Sequence, residues 1–173
     1  MKLKGRIKVY RSQNADSRTA DHVPTIEELS EDSVSHILDV QRGLKAIARM
    51  LEQAGKLHDW TKLAYISMFQ RDFANDMKRH GYFKGEGEWW PKHIRMERHH
   101  LEDSVPEDVN LVDVIEMLVD CVMAGAARSK EGRASYRQPP KGLLEKAYRN
   151  TFEMLADSID VRNDDGTPYE PEK

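Results

Sequence analysis

A chain of 173 residues can build one domain with its own core and has little left for a second. Charged residues make up 33% of it, yet the net charge is only -3, so no broad positive field favours long nucleic acid or an anionic membrane. A lone cysteine, Cys121, excludes a disulfide framework and Cys-rich zinc sites, and no apolar run approaches the roughly 18 residues of a membrane span; the expectation is a soluble, cytoplasmic protein.

Residues 1–24 read as a basic arm or edge segment, because Lys2, Lys4, Arg6, Lys8 and Arg11 interleave with Leu3, Ile7 and Val9 as in a strand. From Thr25 the pattern turns helical: Thr25 with Glu28 three residues on is a capping box. Ile37, Val40, Leu44, Ile47, Ala48 and Leu51 then keep a helical period to Ala54, with Gly55 as the expected stop. A second long helix is expected from about Leu57 to about Arg79. Residues 80–91, HGYFKGEGEWWP, have the glycines and proline of a long loop, and a short helix from Pro91 would carry His93 to His100. Asn110 to Ala127 is the most apolar helix; its remaining face carries Asp113, Glu116 and Asp120. The basic loop RSKEGRASYRQPPKG leads to a last helix from about Leu143 to Ile159, and residues 161–173 read as an acidic, solvated tail. The expected fold is all-α, one helical domain over 25–160 with about five to seven helices.

His36 lies one turn before Val40 and two before Leu44, on the expected core side of its helix. His58 and Asp59 stand together at the expected start of the next long helix, and Asp120 interrupts the most apolar one. Burying any of these groups alone is costly, and one divalent ion bound by all four removes the cost. Two imidazoles with two carboxylates suit Mn, Fe, Co, Ni or Zn, and suit Mg less well.

A His on one helix, a His-Asp doublet at the next and a lone Asp on a later helix, with LHDWTK at 57–62 in the form L-H-D-x-x-K, resembles the HD superfamily of metal-dependent phosphohydrolases. The resemblance spans about Ser33 to Ala127, and the small size and the RHHLED segment are similar to phage-encoded members, which would place the protein in a bacterial host's cytoplasm. It implies a helical fold and His36, His58, Asp59 and Asp120 as metal ligands. Members holding further metals add histidines between the doublet and the last Asp; here His93, His99 and His100 occupy that interval. On a regular helix His93 and His100 share a face with Glu97, which ranks them above His99 as ligands to a second metal or to substrate.

With a metal in place, Asp59 and Lys62 are the expected catalytic pair, Asp59 orienting water and Lys62 neutralising phosphoryl charge. Lys62, Arg128, Lys130 and Arg133 are the expected phosphate contacts, and Tyr82, Phe83, Trp89 or Trp90 a surface for a base. The implied reaction is hydrolysis of a small phosphorylated substrate, a nucleoside or deoxynucleoside phosphate. The runners-up are a cyclic mono- or dinucleotide phosphodiesterase and a non-catalytic module binding a nucleotide or a protein; homo-oligomers stay compatible with all three. Each residue also has a plainer reading: His36 as a satisfied core histidine, Asp59 as a first-turn acid, the lysines and arginines as solvated surface, the three acids of the apolar helix as a solvated stripe, and the tryptophans as packing anchors.

Overall fold

The computed structural model describes residues 7–11, 20, 22–103, 105–128, 130, 132–134, 136, 138–163 and 165–170. Most of the basic arm, including Lys2, Lys4 and Arg6, and the last three residues lie outside them. The described residues are predominantly helical, and the fold is all-α: α1 Ile26–Leu57, α2 Trp60–Ala64, α3 Ile66–His80, α4 Trp89–Met96, α5 Leu111–Arg128 and α6 Leu143–Ala156, with strands β1 Ile7–Tyr10 and β2 Ile159–Arg162. Contacts group the chain into two units, residues 1–50 with 152–173, and residues 51–151.

In the first unit the capping box forms: the Thr25 N–H donates to Glu28 Oε2 at 2.8 Å and the Glu28 N–H to Thr25 Oγ1 at 3.2 Å, closing both orphan donors at the start of α1. Gly55 does not stop this helix, which runs two residues further. β1 and β2 pair in parallel, Ile7 beside Ile159 and Tyr10 beside Arg162, so Ile159 ends no helix and the start of the expected tail is a strand. The chain then folds back, with the Tyr169 N–H on Val161 O at 3.1 Å.

In the second unit Leu101, Val109, Val114, Met117, Leu143 and Ala147 form the core between the N-terminal half of α5, α6 and the segment before α5. The expected second long helix is broken in two at Tyr65, whose φ of -120° and ψ of 31° leave the helical region. α3 ends at Gly81, φ 77°, whose N–H returns to Met77 O, the left-handed stop that glycine takes without strain. The loop that follows is tied down by two buried carboxylates. Asp76 Oδ2 accepts from the N–H groups of Lys84 and Gly85 at 2.9 and 2.8 Å, and Asp72 Oδ2 from that of Trp89 at 2.8 Å. Gly87 lies against the Asp72 carboxyl so closely that any side chain would collide. α4 therefore starts at Trp89, with Pro91 still in its first turn, where a missing N–H costs nothing.

Candidate metal centre

The doublet occupies the two-residue break between α1 and α2 instead of opening a long helix. Asp59 takes a left-handed backbone, φ 57° and ψ 19°, at the N-cap position of α2, a region that aspartate tolerates better than most residues. An N-cap aspartate ordinarily spends its carboxylate on the first N–H groups of its helix. Asp59 makes no such bond. Its Oδ2 pairs with the Lys62 ammonium, and its Oδ1 is buried with no hydrogen-bond partner.

Three imidazoles surround that carboxylate. His93, fully buried on α4, brings Nε2 to 3.4 Å from Asp59 Oδ1. His99 lies in the turn after α4, with Nε2 3.7 Å from the same oxygen. His100 Nε2 stands 2.8 Å from His93 Nε2. On the other side His58 Nε2 is 3.4 Å from Asp59 Oδ2 and 3.4 Å from Asp120 Oδ1. Two groups of donors result, Asp59 with His93, His99 and His100, and His58 with His99 and Asp120; within each, all donor atoms lie within 4.8 Å of one another. The helical-face argument that put His99 last does not hold, because α4 ends at Met96 and Glu97 is extended at φ -96° and ψ 117°. His99 belongs to both groups.

The acidic stripe of α5 is not solvated as a unit; each member has its own task. Buried Asp113 takes a bidentate pair from Arg98, Nε to Oδ1 at 2.8 Å and Nη2 to Oδ2 at 2.7 Å, which pins the segment carrying His99 and His100 to the start of α5. Glu116 Oε1 lies 3.1 Å from His58 Nδ1 and 3.3 Å from His99 Nδ1. A carboxylate behind a histidine in this way fixes which ring nitrogen faces forward. Asp120 faces His58. Behind His93 the ring of Trp89 stacks at 4.6 Å and that of Phe69 stacks on Trp89 at 3.8 Å, so Trp89 is a packing wall and no free surface for a base.

The charges are balanced by position. Burial pushes the Asp59 carboxyl up, but the Lys62 ammonium outweighs it, with help from His58 and His93, and the group stays below the usual carboxylate range. Burial also lowers His93, to about 4, with His100 adding to the effect, so this imidazole is neutral near pH 7. His100 is lowered by burial and by His99. Burial would lower His99 too, but Glu116, Asp59 and Asp120 together raise it. Glu116 is raised by burial and lowered further by the two histidines, so it stays ionised.

The donor set fits a divalent ion. Asp59 Oδ1 and His99 Nε2 are buried without a hydrogen-bond partner, a costly arrangement that a cation resolves, while His99 Nδ1 is backed by Glu116.

Of the residues expected from the sequence, His58, Asp59, Asp120, His93, His99 and His100 come together, with Lys62 on Asp59. His36 lies on α1 in the first unit, whereas both groups are in the second, and it is exposed, as are Ile37 and Val40. Arg128, Lys130 and Arg133 are exposed on the end of α5 and the loop after it, and none is in either group. A groove of about 460 Å³ in the first unit, lined by Tyr10, Ser30, Val34, Leu38 and Arg42 among others, contains none of the candidate residues. Two residues near the groups were missed, Glu116 in its outer role and Thr61. Glu116 was visible as an acid on an apolar helix, whereas nothing in the sequence marks Thr61.

Fold and site together define an all-α protein with a buried His/Asp cluster able to hold a metal ion. Over residues 25–158 the chain matches a family of unknown function (DUF5662), and it belongs to that family. No curated protein and no solved structure matches it. No helix among the described residues is long and apolar enough to cross a membrane.

Proposed function

We propose that this protein is a metal-dependent phosphohydrolase related to the HD superfamily, acting on a small phosphorylated substrate, a nucleoside or deoxynucleoside phosphate. The observation that carries the reading is the set of buried, unpartnered donor atoms on Asp59 and His99 at the centre of the histidine and aspartate cluster. A divalent ion held there would supply the positive charge that acidifies a water and polarises a phosphoryl oxygen. His58, His99 and Asp120 would hold one ion, and Asp59, His93 and His100 offer donors for a second.

The chain's own groups have complementary tasks. Asp59, kept ionised by Lys62, can orient a water and accept its proton. Lys62, 41% exposed, reaches the solvent side of the cluster, where its ammonium can meet charge that develops on phosphoryl oxygens. Trp60 is 40% exposed beside the doublet and offers a flat surface for a base in place of the buried Trp89. Arg128, Lys130 and Arg133 are exposed cations that could contact a phosphate chain.

The test is elemental analysis of the purified full-length chain, then phosphate release from a panel of nucleoside mono-, di- and triphosphates, cyclic dinucleotides and short oligonucleotides with Mn, Co, Mg or Zn added. Metal in the protein and release from the mononucleotides is the expected result. Cleavage of cyclic dinucleotides alone would move the activity to diesters. A fully loaded protein that cleaves nothing on the panel would sink the enzymatic reading.

A further inference from the structure

Thr61 sits two residues after Asp59 and is completely buried, which is unusual for a hydroxyl in the first turn of a short helix. Its backbone N–H donates to Glu97 Oε1 at 2.9 Å, and its hydroxyl oxygen lies 2.6 Å from the same oxygen. The backbone N–H can only donate, so Glu97 Oε1 is an acceptor, and the hydroxyl proton goes to it as well. The hydroxyl oxygen is left with lone pairs alone. It stands 2.6 Å from His93 Nδ1, and a contact this short needs a proton between the two atoms, which only Nδ1 can provide. His93 therefore carries its proton on Nδ1, and Nε2, which faces Asp59 and His100, carries a lone pair.

We propose that Glu97 and Thr61 are positioning residues that lock His93 in the tautomer able to bind a metal through Nε2. The idea rests on the metal reading above and adds the device that prepares one ligand for it. Glu97 has a second effect in the same contact. By accepting the Thr61 N–H it takes over the capping bond that Asp59 would make, so the Asp59 carboxylate stays with the cluster. His58 is oriented directly by Glu116 on its Nδ1, and His93 indirectly, through a hydroxyl; both arrangements leave Nε2 pointing inward.

Two measurements on the full-length chain test this. The first is the ring nitrogen shifts of histidine-labelled, metal-free protein, with His93 assigned from its own substitution. The parent should show His93 protonated on Nδ1 alone, and protonation on Nε2 alone overturns the proposal. The second is Co(II) affinity, read from ligand-field absorbance against a competing chelator, for the parent, Thr61→Val and Thr61→Ser. Valine keeps the shape and removes the acceptor, so His93 should shift its proton to Nε2 and affinity at the weakened site should fall about 10- to 100-fold. Serine restores the hydroxyl and should return affinity to within a few-fold of the parent. Unchanged affinity in Thr61→Val, or a loss in Thr61→Ser as large as in Thr61→Val, overturns the positioning role while leaving the metal reading intact. A parent that takes up no Co(II) sinks the metal reading and this inference with it.

Discussion

Two places in the second unit have the donors and spacing of a metal site, yet they differ in what their atoms already do. At Asp76, His80 and Glu86 the donor atoms also lie within 4.8 Å of one another. There Asp76 accepts two backbone N–H groups, Glu86 takes the Lys84 ammonium, and His80 Nε2 meets Glu86 at 2.9 Å. The charge is met from within the chain, and the group ties down the loop after α3. Around Asp59 the reverse holds, since Asp59 Oδ1 and His99 Nε2 are buried, face each other at 3.7 Å and make no hydrogen bond. Proximity of donors is common to both; what singles out the second is unmet polarity in a place water does not reach.

The sharpest way to break this contrast is to remove one carboxylate from each group. Asp59→Ala should lose metal on elemental analysis, the ion held with His93 and His100 first, and hydrolysis of the nucleotide substrate should drop by more than the roughly 100-fold that an outer partner is worth, with the helical circular dichroism unchanged. Asp76→Ala should keep the metal and lose about 1 to 3 kcal/mol of stability in a urea titration, since two loop N–H groups are left without their acceptor. Equal metal loss in the two variants would erase the distinction.

A smaller effect is expected at Lys62. Lys62→Ala should lower turnover by about 10- to 100-fold while metal content stays at the parent level, less than a fully buried donor would cost because the ammonium is partly solvated. Turnover at the parent rate would reduce Lys62 to a surface partner of Asp59.

Ligand linkage gives a third comparison. Zinc at about 100 times its dissociation constant should stabilise the parent by about 2.7 kcal/mol, seen as a rise in melting temperature. His80→Ala should show the same rise, and His99→Ala, which removes the histidine common to both groups at Asp59, should show little or none.

The mildest expected effect is acid sensitivity at the satisfied group. Lys84 and His80 lower the Glu86 carboxyl from 4.5 to about 2. A depressed carboxyl stabilises the folded state above its unfolded value, so that contribution should fade as pH drops from about 4.5 through about 2. Protection of the Gly85 amide, read as exchange relative to the intrinsic rate at each pH, should weaken over that range in the parent and respond less to acid in Glu86→Gln.

The parts of this arrangement legible in the sequence were those fixed by local chemistry. The capping box at Thr25 and Glu28, the His58-Asp59 doublet with Lys62, and Asp120 on an apolar helix all follow from residue type and spacing. What escaped depends on backbone departures that helical periodicity assumes away. The left-handed turn at Asp59 and the break at Tyr65 split one expected helix in two, and the extended Glu97 moved His99 from the last choice to the histidine both groups use. β2 was hidden because its four residues were read partly as helix end and partly as tail, and a parallel partner 152 positions away leaves no trace in local pattern.

The left-handed backbone of Asp59 sets two kinds of selection against each other. Asparagine and glycine enter that conformation at least as easily as aspartate, and asparagine keeps nearly the same shape without the charge. A library of variants at this position, sorted only for survival of heat, should therefore retain asparagine and glycine alongside aspartate and discard the β-branched residues. Sorted instead for metal uptake, the same library should keep aspartate nearly alone. The gap between the two sorted populations measures how far this residue is held by what it binds and how far by how the chain turns.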